Sequence, residues 1–155
     1  MDLFRIAQDK FAEDLSGNGV RLFGGRWNSE GYFAVYTSTT RALALLETLA
    51  HTPAKMLDTK VYQLITLTVP DNLFIEKIVE SQLPAGWDAA DARWVTKKLG
   101  DIFFKEKKSL LLSVPSVLVK EELNYVLNPL HPDMRKVKIL HKRRVEFDKR
   151  VGTNL

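Results

Sequence analysis

The chain has 155 residues, a net charge of +4 and no cysteine, and 45% of its residues are hydrophobic. These values are ordinary for one soluble globular domain with a substantial core, and the lack of cysteine excludes a disulfide framework and a thiolate metal site. The sequence has no apolar run of about 18 residues, and its first residues, MDLFRI, lack the basic and apolar regions of a signal peptide. We therefore expect a cytoplasmic protein without a membrane span.

The first half of the chain predicts two strands and a helix. Residues 3–7 form a short strand, and two glycine-containing loops follow, at residues 16–19 and 24–25. Residues 33–37 are apolar, aromatic and β-branched, which is typical of a buried strand. Ser38 is a candidate cap for the helix that comes next.

This helix is predicted over residues 39–50, which are rich in alanine and leucine. Its apolar residues fall on one face at helical spacing, and they are Ala42, Leu45, Leu46 and Leu49. Glu47 lies on the flank of that face, about 100° from its centre at helical spacing. A carboxylate in this position can point into a cleft beside the core.

The second half mixes strands and helices. Strands are predicted over residues 61–69 and 110–114 and around Ile139 and Val145, and helices from a cap at Asp88 to about residue 99 and over residues 121–127. Because this order has no regular βαβ alternation, the predicted fold class is α+β: a single compact domain, residues 1–155, with a mixed sheet and flanking helices.

The positive charge is concentrated near the C-terminus. Residues 134–150 contain eight Lys or Arg residues and two acidic residues, a balance of +6. Such a segment can contact nucleic acid or an acidic partner. It is also typical of a solvated edge strand, because residues 136–139 alternate with period two and edge strands often carry lysines.

Common enzyme signatures are absent from the sequence. It contains neither a GxxxxGK[ST] phosphate loop nor a GxGxxG dinucleotide fingerprint, and nothing resembles a nucleophile elbow. The three histidines, His51, His131 and His141, have no metal-ligand spacing, so no metal site is expected.

Four polar residues lie instead at the ends or flanks of apolar elements. Arg26 is presented on a glycine loop, Tyr36 ends a buried strand, Glu47 flanks an apolar helix, and Ser116 follows a buried strand. Each also has a structural interpretation, as a turn residue, a core aromatic, a solvated helix residue and a cap, respectively.

An ordered set of motifs resembles the RES-domain family. The set covers nearly the whole chain, and its segments are residues 16–28 (SGNGVRLFGGRWN), 35–38 (VYTS), 44–47 (ALLE), 114–116 (VPS), Asn124 and 127–132 (LNPLHP). The family takes its name from an arginine, a glutamate and a serine, which we match to Arg26, Glu47 and Ser116. Arg5, in the first strand, matches a position with a recurrent arginine.

The resemblance implies a fold similar to that of ADP-ribosyltransferases and a toxin of a bacterial toxin–antitoxin pair. It implies NAD+ as the substrate, cleaved at the nicotinamide–ribose bond with water or phosphate as co-substrate, and no other cofactor. The implied partner is a cognate antitoxin of the Xre-like helix-turn-helix type, which would cover the active site and link the complex to DNA.

Elementary chemistry assigns roles to these residues. Arg5 and Arg26 can bind the pyrophosphate of NAD+ through charge-assisted hydrogen bonds. Glu47 can stabilise the positive charge that develops on the ribose when the bond to nicotinamide breaks. Tyr36 can stack on the cationic nicotinamide ring, and Ser116 can hydrogen-bond the amide or a ribose hydroxyl.

Two other functions remain open from the sequence. A protein ADP-ribosyltransferase would use the same site but pass ADP-ribose to a protein. A non-enzymatic nucleic-acid-binding domain would use the basic C-terminal segment, and its affinity would fall steeply with salt.

Overall fold

The computed structural model describes residues 1–152 and shows a mixed sheet covered by helices. This part of the chain contains seven strands and five α-helices. The strands are β1 (Asp2–Gln8), β2 (Val35–Ser38), β3 (Tyr62–Thr68), β4 (Ile75–Lys77), β5 (Leu111–Pro115), β6 (Leu123–Leu127) and β7 (Lys138–Val145). The helices are α1 (Asn18–Phe23), α2 (Arg41–His51), α3 (Ala54–Thr59), α4 (Arg93–Glu106) and α5 (Lys149–Gly152). The α+β prediction is confirmed.

The sheet has the strand order β4-β5-β6-β2-β1-β3-β7. Only the β4–β5 pair is parallel among the described strands, and the other neighbours are antiparallel. Strands β1 and β2 are paired at one position, Phe4 with Ser38, whereas β1 pairs with β3 along its full length. The basic strand β7 lies at one edge of the sheet, as expected for lysine-rich alternation.

The strands bury their two faces in different clusters. One cluster is built around Leu3, Ile65, Leu67 and Leu127. The other lies beneath α4, and its buried residues are Trp27, Ala34, Trp87, Phe103, Phe104, Leu112, Val114 and Val126. Since side chains alternate along a strand, the face that carries Leu112 and Val114 also carries polar residues at the strand ends. The candidate site lies on that face of the sheet.

Two sequence predictions about element type are wrong. The segment predicted as a helix over residues 121–127 contains strand β6, which pairs with β5 on one side and β2 on the other. Neighbouring strands therefore decide its conformation, and local pattern does not. The two strands predicted around Ile139 and Val145 are one continuous strand, β7, with a register shift opposite Thr66 and Leu67.

Several predicted boundaries also move. The cap of α2 is Thr40, whose hydroxyl accepts a hydrogen bond from the Leu43 amide at 3.0 Å, and Ser38 instead lies within β2. Helix α4 begins at Arg93 rather than after Asp88, and it continues to Glu106. The short elements α1, α3 and β4 were not predicted.

Candidate functional site

The carboxylate of Glu47 is the centre of a hydrogen-bonded cluster. Its Oε1 accepts from Ser116 Oγ at 2.9 Å and from Asn124 Nδ2 at 2.7 Å. Its Oε2 lies 3.2 Å from His51 Nε2, one helical turn further along α2. The end of β5, strand β6 and helix α2 therefore meet at one acidic side chain.

The register of the sheet explains why these groups meet. Asn124 pairs with Val114 on one side and with Ser38 on the other, so all three share one face of the sheet. Ser38 Oγ donates to Asn124 Oδ1 at 2.7 Å, which leaves the amide group of Asn124 directed at Glu47. Hydrogen bonds at both its oxygen and its nitrogen thus fix the orientation of the Asn124 side-chain amide.

Glu47 lies on the buried face of α2. The buried residues of the helix are Leu43 and Ala44, and Glu47 is four residues after Leu43. The predicted apolar stripe is wrong, because Ala42 and Leu46 are exposed to solvent. The expectation that the Glu47 carboxylate points into a cleft beside the core stays a prediction.

Two opposing effects determine the pKa of Glu47. Burial raises the pKa, but hydrogen bonds from His51, Asn124 and Ser116 lower it, and the net result lies below the ordinary value for glutamate. Glu47 is therefore ionised at neutral pH.

We expect activity that needs this carboxylate to persist through neutral pH and to decline only when the pH falls below the usual range for glutamate. Replacing Ser116 with alanine removes one of the hydrogen bonds that favour the ionised form, so the pKa of Glu47 should rise. The acid limb of the kcat/KM profile should then move to higher pH, in addition to any fall in its plateau. An unchanged acid limb, with exposed Ser81→Ala as the control, would contradict this assignment.

Arg26 lies on the loop between α1 and β2, and its guanidinium reaches across to residues 87–89. Its Nη1 donates to the carbonyls of Trp87 at 3.2 Å and Ala89 at 3.4 Å. Burial lowers the pKa of Arg26, the charge of Arg93 lowers it further, and Glu47 and Asp88 raise it. Arg26 is thus close enough to Glu47 to interact with it electrostatically.

Helix α4 packs against the backbone of the loop that carries Arg26. Thr96 Oγ1 donates to the main-chain carbonyl of Arg26 at 2.6 Å. The Asp101 carboxylate accepts from the amide of Ser29 at 2.8 Å and from its hydroxyl at 2.6 Å. At Gly100 the helix is so close that an added Cβ would lie 1.6 Å from the carbonyl oxygen of Trp27. These contacts fix the backbone of the loop from Arg26 to Ser29.

Tyr36 fixes the same loop from the sheet side. Its hydroxyl donates to Asn28 Oδ1 at 2.7 Å and accepts from the amide of Trp27 at 2.9 Å. Burial raises the pKa of Tyr36, so the hydroxyl stays neutral and able to donate. An added Cβ at Gly25 would lie 2.6 Å from this hydroxyl, which explains the second glycine of the loop.

Trp27 packs in the core beneath the loop. It is buried, and its ring centroid lies 6.1 Å from that of Trp87. Asn128 and His131 also hold the fold: Asn128 Oδ1 accepts from the Leu130 amide, and His131 Nδ1 accepts from the Asp133 amide.

Arg5 is not brought to this cluster. It pairs with Ile65 and therefore lies on the opposite face of β1 from Phe4, the residue that pairs with Ser38. Its Nη1 donates to the main-chain carbonyl of Asp14 at 3.0 Å. The expectation that Arg5 binds a phosphate of the substrate stays a prediction.

Sequence reasoning gave no role to several residues of the cluster. His51 and Asn124 contact Glu47, while Thr96 and Asp101 hold the Arg26 loop. The spacing of Glu47 and His51, four residues apart on one helix, was a usable signal. No such signal exists for Thr96 and Asp101, because the loop residues that they contact are about 70 positions away in the chain.

Neither a metal centre nor a membrane span is found in the described part of the chain. Residues 1–152 contain no group of three or more His, Cys, Asp or Glu side chains that could bind a metal ion. No helix among them is both long and apolar enough to cross a bilayer.

Comparison with known proteins places these residues in a family context. The family model of the RES domain matches residues 2–148. The chain is 40% identical to a protein of Sphingobium sp. (strain YBL2) named Prs ADP-ribosylating toxin, over 96% of this chain and 94% of that protein. It is 36% identical to a Toxin Res of Photorhabdus laumondii, over 88% and 86% of the two chains. The predicted boundaries of a single domain, residues 1–155, stay a prediction.

A solved structure shares the fold. It is a chain of the Mycobacterium tuberculosis MbcT–MbcA toxin–antitoxin complex, with a TM-score of 0.77. The two sequences are 21% identical, and the superposition covers 93% of this chain and 83% of the other. At this identity the likeness is one of fold.

Proposed function

The chain belongs to the RES domain family, and on this premise we propose that it is the toxin of a bacterial toxin–antitoxin pair that cleaves NAD+ at the nicotinamide–ribose bond. The observation that carries the proposal is the cluster at Glu47. A partly buried, ionised carboxylate is held there by three donors and lies within electrostatic reach of Arg26.

Glu47 supplies the charge that the reaction needs. When the C1′–N bond of NAD+ breaks, its electron pair goes to the nicotinamide nitrogen, and positive charge develops on the ribose ring. A fixed carboxylate stabilises this transition state more than it stabilises bound substrate, which accelerates the step. Nicotinamide leaves as a neutral molecule, so the step needs no strong general acid.

Ser116 and Arg26 prepare the site for this chemistry. Ser116 Oγ donates to Glu47, and it also accepts from the amides of Leu118 and Val119 at 3.1 and 3.2 Å, so its position is fixed. Arg26 offers a planar guanidinium suited to an oxygen of the pyrophosphate. Tyr36 is assigned to the nicotinamide side of the site, where its ring would face the cationic pyridinium.

The acceptor of ADP-ribose separates two versions of this function. Hydrolysis or phosphorolysis joins C1′ to an oxygen of water or phosphate, and the acceptor loses its proton. Transfer to a protein is the second candidate, and the name of the Sphingobium relative, an ADP-ribosylating toxin, favours it. Both versions break the same bond and use the same site.

Product analysis distinguishes these versions. Purified protein should be incubated with adenine-labelled NAD+ in phosphate-free buffer, with added phosphate and with cell lysate. Free ADP-ribose indicates hydrolysis, a phosphorylated ADP-ribose indicates phosphorolysis, and label on a protein band indicates transfer. Full recovery of NAD+ in all three conditions would contradict the proposal.

We also propose that an Xre-like helix-turn-helix antitoxin covers this site and provides the only link to DNA. The names of the relatives and the toxin–antitoxin neighbour support a partner of this kind. Exposed aromatic residues flank the site: Phe23 precedes the glycine loop and is 81% exposed, and Trp94 follows Arg93 and is 72% exposed. Such apolar surface is suited to burial by a protein partner.

A further inference from the structure

We propose that Arg93 joins Arg26 in binding the diphosphate of the substrate, so that two guanidinium groups form one anion site. This inference rests on the proposed function, because it assigns a binding residue for the same dinucleotide. Arg93 is the first residue of α4 and is separated from Arg26 by more than 60 positions in the sequence.

A single hydroxyl group links the main chains of the two arginines. Thr96 Oγ1 lies 2.6 Å from the carbonyl oxygen of Arg26 and 3.1 Å from that of Arg93. Because both oxygens contact one buried hydroxyl, α4 and the glycine loop bring the two arginine backbones side by side. The positive charge of Arg93, which is exposed at the start of α4, lowers the pKa of Arg26 and that of Tyr36.

Two adjacent cations are unfavourable unless an anion lies close to both. The carboxylates that interact with Arg26 are engaged elsewhere: Glu47 binds Ser116 and Asn124, and Asp88 pairs with Lys120 at 2.9 Å. Across residues 1–152, no carboxylate forms an ion pair with Arg93 or Arg26. Neither guanidinium group is therefore paired directly with a carboxylate in this part of the chain, although Glu47 and Asp88 act on Arg26 from a distance.

Arg26 also retains unused donors. Only Nη1 has acceptors among the described residues, and these are two neutral carbonyls at 3.2 and 3.4 Å. Charge-assisted hydrogen bonds to phosphate oxygens are shorter and stronger. A diphosphate with charge on both phosphates therefore matches two guanidinium groups better than one, and it can replace the weak carbonyl contacts.

The test uses ADP-ribose, which carries the diphosphate but lacks the bond to nicotinamide. We expect Arg93→Ala to raise the Kd for ADP-ribose and the KM for NAD+ by about tenfold, on the scale of a hydrogen bond to a charged group, with little change in kcat. Arg93→Lys should give a smaller increase, because it retains the charge and loses the planar fork. The matched control is Lys98→Ala, an exposed cation on the same helix.

The two proposals fail in different ways. If Arg93→Ala leaves the Kd for ADP-ribose within twofold of wild type, or if wild type does not bind ADP-ribose at millimolar concentration, the anion site is wrong. If ADP-ribose binds and its affinity depends on Arg93 but NAD+ is not consumed, the anion site stands and the cleavage proposal fails. A fall in kcat or in the unfolding midpoint, with an unchanged Kd, would indicate a structural role and would overturn the assignment.

Discussion

Replacing Glu47 with glutamine is expected to lower the rate of NAD+ cleavage about 100- to 1,000-fold, the range typical of losing one preorganised electrostatic group. The glutamine carbonyl can still accept from Ser116 and Asn124, so the cluster should keep its geometry. What is lost is the negative charge that opposes the developing positive charge on the ribose. The effect should therefore appear in kcat, with KM changed much less.

The matched control is Glu121→Gln, which removes a charge from an exposed carboxylate. It should keep wild-type kcat. Circular dichroism and the thermal unfolding midpoint should show that both variants are folded. A Glu47→Gln protein that is folded and retains wild-type kcat would rule out the proposed role of this carboxylate.

The second large effect is expected from Gly100→Ala, which should lower the free energy of unfolding by about 3 kcal/mol, near the upper end of the usual range for overpacking. In an ordinary helix interior this change is stabilising, because alanine has the higher helix propensity. Here the new Cβ would lie 1.6 Å from the carbonyl oxygen of Trp27, which is main chain and cannot rotate away. Either α4 or the Arg26 loop must move, and NAD+ cleavage should fall with it.

Gly19→Ala provides the comparison, since nothing lies within 4 Å of the position of its Cβ in α1. This variant should be neutral or more stable by up to about 1 kcal/mol. Urea unfolding of both variants and of wild type gives the two differences directly. If Gly100→Ala is as stable as Gly19→Ala, the close packing of α4 on the loop is incorrect.

The part of the site that sequence could predict is the part carried by its motifs. Glu47 and Ser116 are 69 positions apart, and only the family resemblance connected them; the structure brings them to 2.9 Å. Asn124 belonged to the same motif set, but no role followed from its type alone. No role was predicted for Arg93, because the predicted helix began after Asp88 and Arg93 was then one of its interior residues. In the structure Arg93 is instead the first residue of α4.

The fold was predictable where local pattern and tertiary environment agree. The buried strands β3 and β5 were identified from apolar, β-branched runs, and their bounds differ from the prediction by one residue at each end. Strand β6 was not identified, because its sequence, LNYVL, is also compatible with a helix. It forms a strand because it pairs with β5 on one side and β2 on the other. The face of α2 was misjudged for a related reason: the helix lies across β1 and β2, and this packing buries Leu43 and Ala44 instead of the leucine-rich stripe.

The most direct test of NAD+ cleavage is to incubate the purified wild-type protein with NAD+ in the presence of phosphate and cell lysate. Chromatography then measures the nicotinamide released. We expect the loss of NAD+ to be matched by the appearance of nicotinamide, and both should be suppressed in Glu47→Gln. Intact NAD+ after prolonged incubation of folded protein, with both acceptors available, would contradict the proposed cleavage.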